Sequence, residues 1–149
     1  MIYLREITEE NYIDAFNLKL GEGQEKFVSH PVRSLAQAYV YRNQCQPFGI
    51  YIEEKMVGYI MVIYDYDIPE YNIWHMMIDE KHQGKVYGKL ALNQVLAYIK
   101  TKPFGDSDRV ALTCNIENEK ALKMYRQMGF SETGVLDEDE VELSMILEG

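Results

Sequence analysis

Apolar and polar positions recur along the chain with two different periods, and the places where the period changes mark out the elements. Residues 1–7 read as a strand, after which Thr8 is placed to cap a helix whose apolar face takes in Tyr12, Ala15, Phe16 and Leu20; Gly21 and Gly23 end it. The pattern breaks between Glu22 and Arg33, with Pro31 as punctuation, until Ser34 offers a cap to a helical stretch over residues 35–42. Two runs rich in β-branched and aromatic side chains, 48–53 and 56–64, flank a polar turn at Glu54 and Lys55 and predict a hairpin. Residues 73–78 are apolar almost throughout, as a strand covered on both faces would be.

Leu92, Val95, Leu96 and Ile99 stand at the spacing that puts four apolar side chains on one helical face, and Pro103 and Gly105 close that helix. A short strand follows at 110–114. Ala121, Met124, Tyr125 and Met128 then repeat the helical spacing up to a stop at Gly129, and runs at 131–136 and 141–147 flank an acidic turn as a terminal hairpin. The order of elements predicts an α/β (α+β) domain layered around a mixed sheet. With no linker-like stretch and no internal repeat, residues 1–149 read as one domain.

Composition narrows the class. At 47% apolar and 26% charged over 149 residues, the chain can bury roughly 70% of its unfolded surface without help from disulfides or a structural metal. Cys45 and Cys114 are far apart with no CxxC spacing, which suits two buried small hydrophobes in a reducing compartment. No apolar run approaches the roughly 20 residues of a membrane span, and the start lacks the form of a signal peptide; a cytoplasmic location is expected. Fifteen basic against twenty-four acidic residues give a net charge of −9, the wrong sign for binding a nucleic-acid backbone. Such a surface serves solubility, and it also draws cationic small molecules.

The stretch Gln83-Gly84-Lys85-Val86-Tyr87-Gly88-Lys89 lies between the apolar strand and a long helix. Backbone N–H groups of a first helical turn lack intrahelical partners and the helix dipole adds positive charge there, so a small-residue loop at this point can hold a phosphate. An ordinary tight turn remains open on the loop alone. Rival motifs fail on count: Gly84 and Gly88-Lys89 are one residue too close for a Walker A loop and Leu90 follows, no GxGxxG occurs, and the segment 129–134 has one residue too many for a serine nucleophile elbow. His30, His75 and His82 show no ligand spacing, so no metal site is inferred. A second constellation joins Asn115, Asn118, Ala121, Tyr125, Gly129 and Phe130. By spacing alone Asn118 is a helix cap and Tyr125 a core aromatic.

Together the two constellations resemble the GNAT superfamily of N-acetyltransferases. The family's Gln/Arg-x-x-Gly-x-Gly/Ala loop aligns with Gln83, Val86 and Gly88, and its later Asn-x-x-Asn-x-x-Ala-x-x-x-Tyr-x-x-x-Gly-Phe motif is present in full. Phe27-Val28 and Ser34-Leu35-Ala36-Gln37-Ala38, together with residues 73–85, are similar to bacterial spermine/spermidine (diamine) acetyltransferases. One position departs: Val86 stands where the family has a glycine, and a β-branched residue keeps its N–H available there only with a negative φ. The resemblance implies a mostly antiparallel sheet of about seven strands with about four helices, acetyl-CoA as cosubstrate, and acetyl-CoA contacts from Met77, Ile78, Gln83, Gly84, Lys85, Val86, Tyr87, Gly88, Lys89, Asn115, Asn118, Lys120 and Tyr125. It also implies direct attack by an amine in a ternary complex, and a homodimer through C-terminal strands is one open assembly.

That chemistry needs an acid for the departing thiolate and a way to deprotonate the amine. A thiol near pKa 8.5 and a tyrosine near 10 differ by about 2 kcal/mol, so a tyrosine can serve, and the family resemblance implies that Tyr125 is the general acid. The base is open, because the strand before the loop carries Asn72, Trp74 and His75 rather than a carboxylate. With them Glu53, Asp65, Asp67 and Glu70, interleaved with tyrosines, are candidates for holding a cationic polyamine or relaying its proton through water, and His75 has an intrinsic pKa suited to a base, with its facing left open by strand alternation. The alternatives are a GNAT enzyme for another small amine and a noncatalytic sensor of a CoA compound or polyamine.

Overall fold

The computed structural model describes residues 1–148. Seven strands, β1 (Ile2–Glu6), β2 (Cys45–Ile52), β3 (Lys55–Asp65), β4 (Glu70–Ile78), β5 (Arg109–Asn115), β6 (Ser131–Asp137) and β7 (Glu140–Ile146), form one sheet in the order β1-β2-β3-β4-β5-β7-β6. Helices α1 (Tyr12–Phe16), α2 (Pro31–Val40), α3 (Tyr87–Lys100) and α4 (Glu119–Gln127) complete the fold. Every neighbouring pair is antiparallel except β4 and β5. This is the mixed sheet that the order of elements predicts, mostly antiparallel with seven strands as the family resemblance implies.

Two cores sit on the two faces, and alternation along β3 separates them. Ile60, Val62 and Tyr64 join Ile50, Leu92, Val95 and Ile99 on the α3 side, whereas Tyr59, Met61 and Ile63 join Ala15, Leu18 and Ala38 under α1 and α2. The stripe Leu92, Val95, Leu96 and Ile99 is buried as its spacing predicts. Both thiols are buried and unpaired, and burial pushes Cys114 up to about 11. No described helix is long and apolar enough to cross a membrane.

Three local expectations are corrected. The first helix is a single short turn-and-a-half that starts after Asn11, whose Oδ1 accepts from Thr8 N–H and does not cap the helix, and Tyr12 and Phe16 are exposed, packed edge-to-face on each other instead of on the core; Ala15 is buried as expected, with Leu18 beside it. Helix α2 begins earlier than Ser34 suggests: Pro31 occupies its first turn, where a missing N–H costs nothing, and His30 Nδ1 accepts from Val32 N–H as the cap. Ser34 is therefore a buried residue inside the helix.

What positions the site is the parallel pair. β4 and β5 pair only at Tyr71–Val110 and Asn72–Ala111, and beyond these residues the strands splay apart. The wedge they leave opens toward the N-termini of α3 and α4.

Candidate active site

A cleft of about 350 Å³ fills the wedge. Its floor is the C-terminal half of β4, one wall is the 83–89 loop with the start of α3, the other wall is α4, and Gln24, Phe27 and Val28 from the α1–α2 connection close the near side. The loop is held open by two devices. Gly84 carries the left-handed conformation (φ +77), and the Gln83 amide Nε2 donates to both Ile78 O and Gln24 Oε1 at 2.8 Å, tying the loop to the strand and to the connection. Val86 is the N-cap of α3 with φ −79, so its side chain is unstrained and its N–H is retained. No side chain caps this helix, which leaves its first-turn N–H groups facing the cleft end.

The electrostatics of the walls run opposite to those of the chain. Lys85, Lys89, Lys120 and Lys123 line the cleft and no carboxylate does, in a protein of net charge −9. The rest of the lining is largely apolar, and Met76, Met77, Ile78, Ala121 and Met124 are buried or half-buried whereas Lys85, Lys120 and Lys123 are exposed. The arrangement fits a ligand with a polyanionic head and a slender apolar arm. Tyr125 lies on the wall beside that arm, its ring against Phe130 (centroids 5.9 Å apart) and its hydroxyl without a hydrogen bond to any described residue. Burial, with nearby Cys114 adding to it, holds this phenol well above its ordinary range.

Most of the residues expected to touch a cofactor meet here: Met77, Ile78, Gln83, Gly84, Lys85, Val86, Gly88, Lys89, Asn118, Lys120 and Tyr125 all line the cleft. Asn118 begins α4 without capping it, so its amide is uncommitted. Tyr87 and Asn115 are placed elsewhere. The Tyr87 ring packs on the core beneath Lys85 Nζ, and Asn115 Oδ1 accepts from Glu117 N–H to shape the turn after β5. Gln24, Met76, His82, Lys123 and Met124 also line the cleft, although no motif in the sequence marks them. Met124 does lie on the periodic stripe of α4, but a stripe that lines a cleft and one that lines a core share the same spacing.

The residues proposed for the amine are scattered. Glu53, at a left-handed turn (φ 52), and Asp65 stand at opposite ends of the eleven-residue β3, a separation of about 35 Å at the rise of a strand. Asp65 Oδ1 accepts from the N–H groups of Asp67 and Ile68 and so builds its own turn, while Asp67 is exposed. Glu70 is buried in an ion pair with Arg109, and Asn72 Nδ2 donates to it at 3.5 Å. Tyr71, next to Glu70, is structural: its Oη donates to Gly105 O at 2.7 Å and accepts from the N–H groups of Phe104 and Gly105, whereas Tyr66 is exposed. Only Trp74 and His75 stand where the strands part. Trp74 is 41% exposed and meets Tyr41 edge-to-face at 5.5 Å.

Comparisons with known proteins agree with this geometry. A family model described as "Acetyltransferase (GNAT) family" matches residues 4–130. The spermine/spermidine N(1)-acetyltransferase of Bacillus subtilis (strain 168) is 26% identical over 145 residues, covering 91% of each chain. Among solved structures, a spermidine N-acetyltransferase from Vibrio cholerae in complex with CoA and spermine superposes with a TM-score of 0.78 at 20% identity, over 97% of this chain and 95% of that one. A dodecameric form of the Vibrio cholerae enzyme in an intermediate state gives 0.72 at 20% identity, over 97% and 93%.

Proposed function

Because the chain belongs to the acetyltransferase (GNAT) family, we propose that it moves the acetyl group of acetyl-CoA onto a primary amine of a polyamine such as spermidine or spermine. The observation that carries this reading is the cleft at the uncapped start of α3, lined by four lysines and by apolar side chains and by Tyr125. The amine half rests on the names of the relatives, a spermine/spermidine acetyltransferase and a spermidine acetyltransferase holding spermine.

Bound acetyl-CoA supplies a thioester whose carbonyl carbon takes the amine nitrogen as its bond to sulfur breaks. The chain's residues then have two proton problems. An alkyl ammonium must give up a proton, which costs about 4–5 kcal/mol at pH 7 for a pKa near 10.4. The leaving sulfur must gain one, and Tyr125 Oη is the donor beside the apolar arm. Its raised pKa keeps it fully protonated before reaction and makes it a weaker acid than free tyrosine. A thiolate formed beside it is raised by the same partial loss of solvent, so the difference between the two moves less than either value. The amine nitrogen's second proton returns to the tyrosinate, and the cycle closes with one amide, one thiol and one proton released.

Assembly of copies through the C-terminal strands belongs to the same reading. β6 is exposed along its whole length, with Val135, Leu136 and neighbouring Ile146 open to solvent. Sedimentation of the purified protein gives an oligomer if this holds and a monomer if it does not.

Incubating the protein with acetyl-CoA and a panel of polyamines, amino sugars and amino acids tests the reaction. The expected result is a polyamine heavier by one acetyl group with an equal amount of CoA. Acetylation of another amine class would transfer the assignment to that class, and tight acetyl-CoA binding with no product from any amine would make the protein a sensor.

A further inference from the structure

Strand β4 carries one residue too many against β3. Met61 pairs with His75 and Val62 with Ile73, leaving Trp74 as an unpaired bulge. Residues directly opposite each other share a face of the sheet. His75 accordingly lies with Met61 on the α1–α2 side, while Ile73 lies with Val62 in the core under α3. In a regular strand these two residues, two apart, would share one face. The bulge turns His75 away from the α3 core at the point where β4 and β5 separate.

On that face the imidazole meets two buried hydroxyls. His75 Nδ1 is 2.7 Å from Ser34 Oγ, which is 2.8 Å from Tyr59 Oη and 3.8 Å from Met61 Sδ. Ser34 is 0% exposed and Tyr59 is 1%, so neither hydroxyl turns to water. A serine hydroxyl has one proton and two lone pairs. All three contacts are satisfied when Tyr59 O–H and His75 Nδ1–H both donate to Ser34 Oγ and the serine proton points at the sulfur. This arrangement leaves Nε2 with its lone pair. Nε2 makes no hydrogen bond to a described residue and is not sealed from solvent.

We propose that His75 Nε2 is the base that takes the proton from the acceptor ammonium, and that Ser34 and Tyr59 are positioning residues that hold the ring in the Nδ1–H form. The inference rests on amine acetylation and chooses among the candidates for the base that the sequence leaves open, because the bulge fixes which face His75 joins. The proton moves from the ammonium nitrogen to Nε2, the ring becomes imidazolium, and the proton leaves to water before the next turnover. The charged and titratable groups around the ring are Arg33 on α2, Tyr59 on β3, and Cys45 on β2 behind Tyr59; no carboxylate among the described residues contributes. Burial first and Arg33 second lower the His75 pKa. The ring is therefore neutral, hence basic, at pH 7, and is lost as a base as pH falls through its lowered value. The exposed Trp74 indole beside it offers a face to the cation awaiting deprotonation.

Nitrogen NMR of the free protein with labelled histidine reads the tautomer without any substrate. A protonated Nδ1 and bare Nε2 on His75 are expected; the opposite tautomer overturns the proposal. With spermidine as probe, His75→Gln is expected to lower kcat by about 10²–10⁴-fold, the usual worth of a general base, leave KM for acetyl-CoA unchanged, and erase the acid limb of the kcat/KM profile that tracks the imidazole. Ser34→Ala is expected to lower kcat by about tenfold, the worth of one hydrogen bond, and to mix the tautomers in the NMR spectrum; Tyr59→Phe provides a milder version that keeps the ring in place. An acid limb that survives in His75→Gln overturns the base assignment even if polyamine acetylation by the parent protein stands. A parent protein that acetylates no polyamine defeats the functional reading instead.

Discussion

Single residues decide which of two equal sequence signals carries chemistry. Tyr125 and Tyr71 both stand next to polar residues in the sequence, Arg126 for one and Glu70 and Asn72 for the other, yet Tyr71 spends its hydroxyl on Phe104 and Gly105 while that of Tyr125 stays free in the cleft. Tyr125→Phe keeps the ring against Phe130 and removes only the hydroxyl, so kcat should fall by about 10²-fold or more with the KM values for both substrates within twofold; an unchanged kcat takes the acid role away. Glu70 makes the contrasting case. A carboxylate among tyrosines reads as a cation site, but its partner Arg109 lies on another strand, and a pairing between strands cannot be read from one segment. Glu70→Gln should leave polyamine turnover unchanged. It should destabilise toward the lower end of the roughly 3–5 kcal/mol seen when a buried pair loses one member, since Arg109 is partly exposed and keeps Glu142 at 3.5 Å. Urea denaturation with parallel assays separates the two effects.

At the scale of elements, the 83–89 loop was legible because its function depends on local spacing, and its conformation was not because φ is set by the surroundings. The family's glycine position is filled by Val86 in a negative-φ, 62% exposed N-cap, and the left-handed residue is Gly84. A side chain at Gly84 costs about 1–2 kcal/mol in that conformation. Gly84→Ala should thus raise KM for acetyl-CoA roughly tenfold, whereas Val86→Gly should leave it within about twofold, because glycine is an acceptable cap. Reversed effects would mean that the ligand reshapes the loop. Helices α1 and α2 were misjudged for a related reason. Tyr12 and Phe16 satisfy each other without a core, and His30 displaces Ser34 as cap because its ring reaches Val32 N–H and Leu18 O at once. Neither competition leaves a mark in periodicity. The bulge at Trp74 is equally silent, and it alone decides which face His75 joins.

Over the whole molecule the sequence reported one net charge, and the fold divides it. Four of the chain's lysines converge on a single cleft free of carboxylates, although they come from two segments that a charge tally treats as unrelated. The rest of the surface keeps the acidic excess, so a polyanionic cosubstrate and a polycationic acceptor are drawn to different parts of one small protein. Lys120 and Lys123 sit on α4 one turn apart and belong to the cleft wall without being part of the loop. Reversing both to glutamate replaces two attractions by two repulsions, each worth no more than about 1 kcal/mol at an exposed site. KM for acetyl-CoA should rise by about tenfold or somewhat more, with KM for spermidine unchanged. Salt gives the internal control. In the parent protein KM for acetyl-CoA should climb as ionic strength shortens the screening length from about 10 Å at 0.1 M toward 3 Å at 1 M. In the double variant that climb should flatten, because the field that salt screens has been cancelled; a variant that keeps the parent's full salt slope would show that the lysines line the cleft without holding the anion.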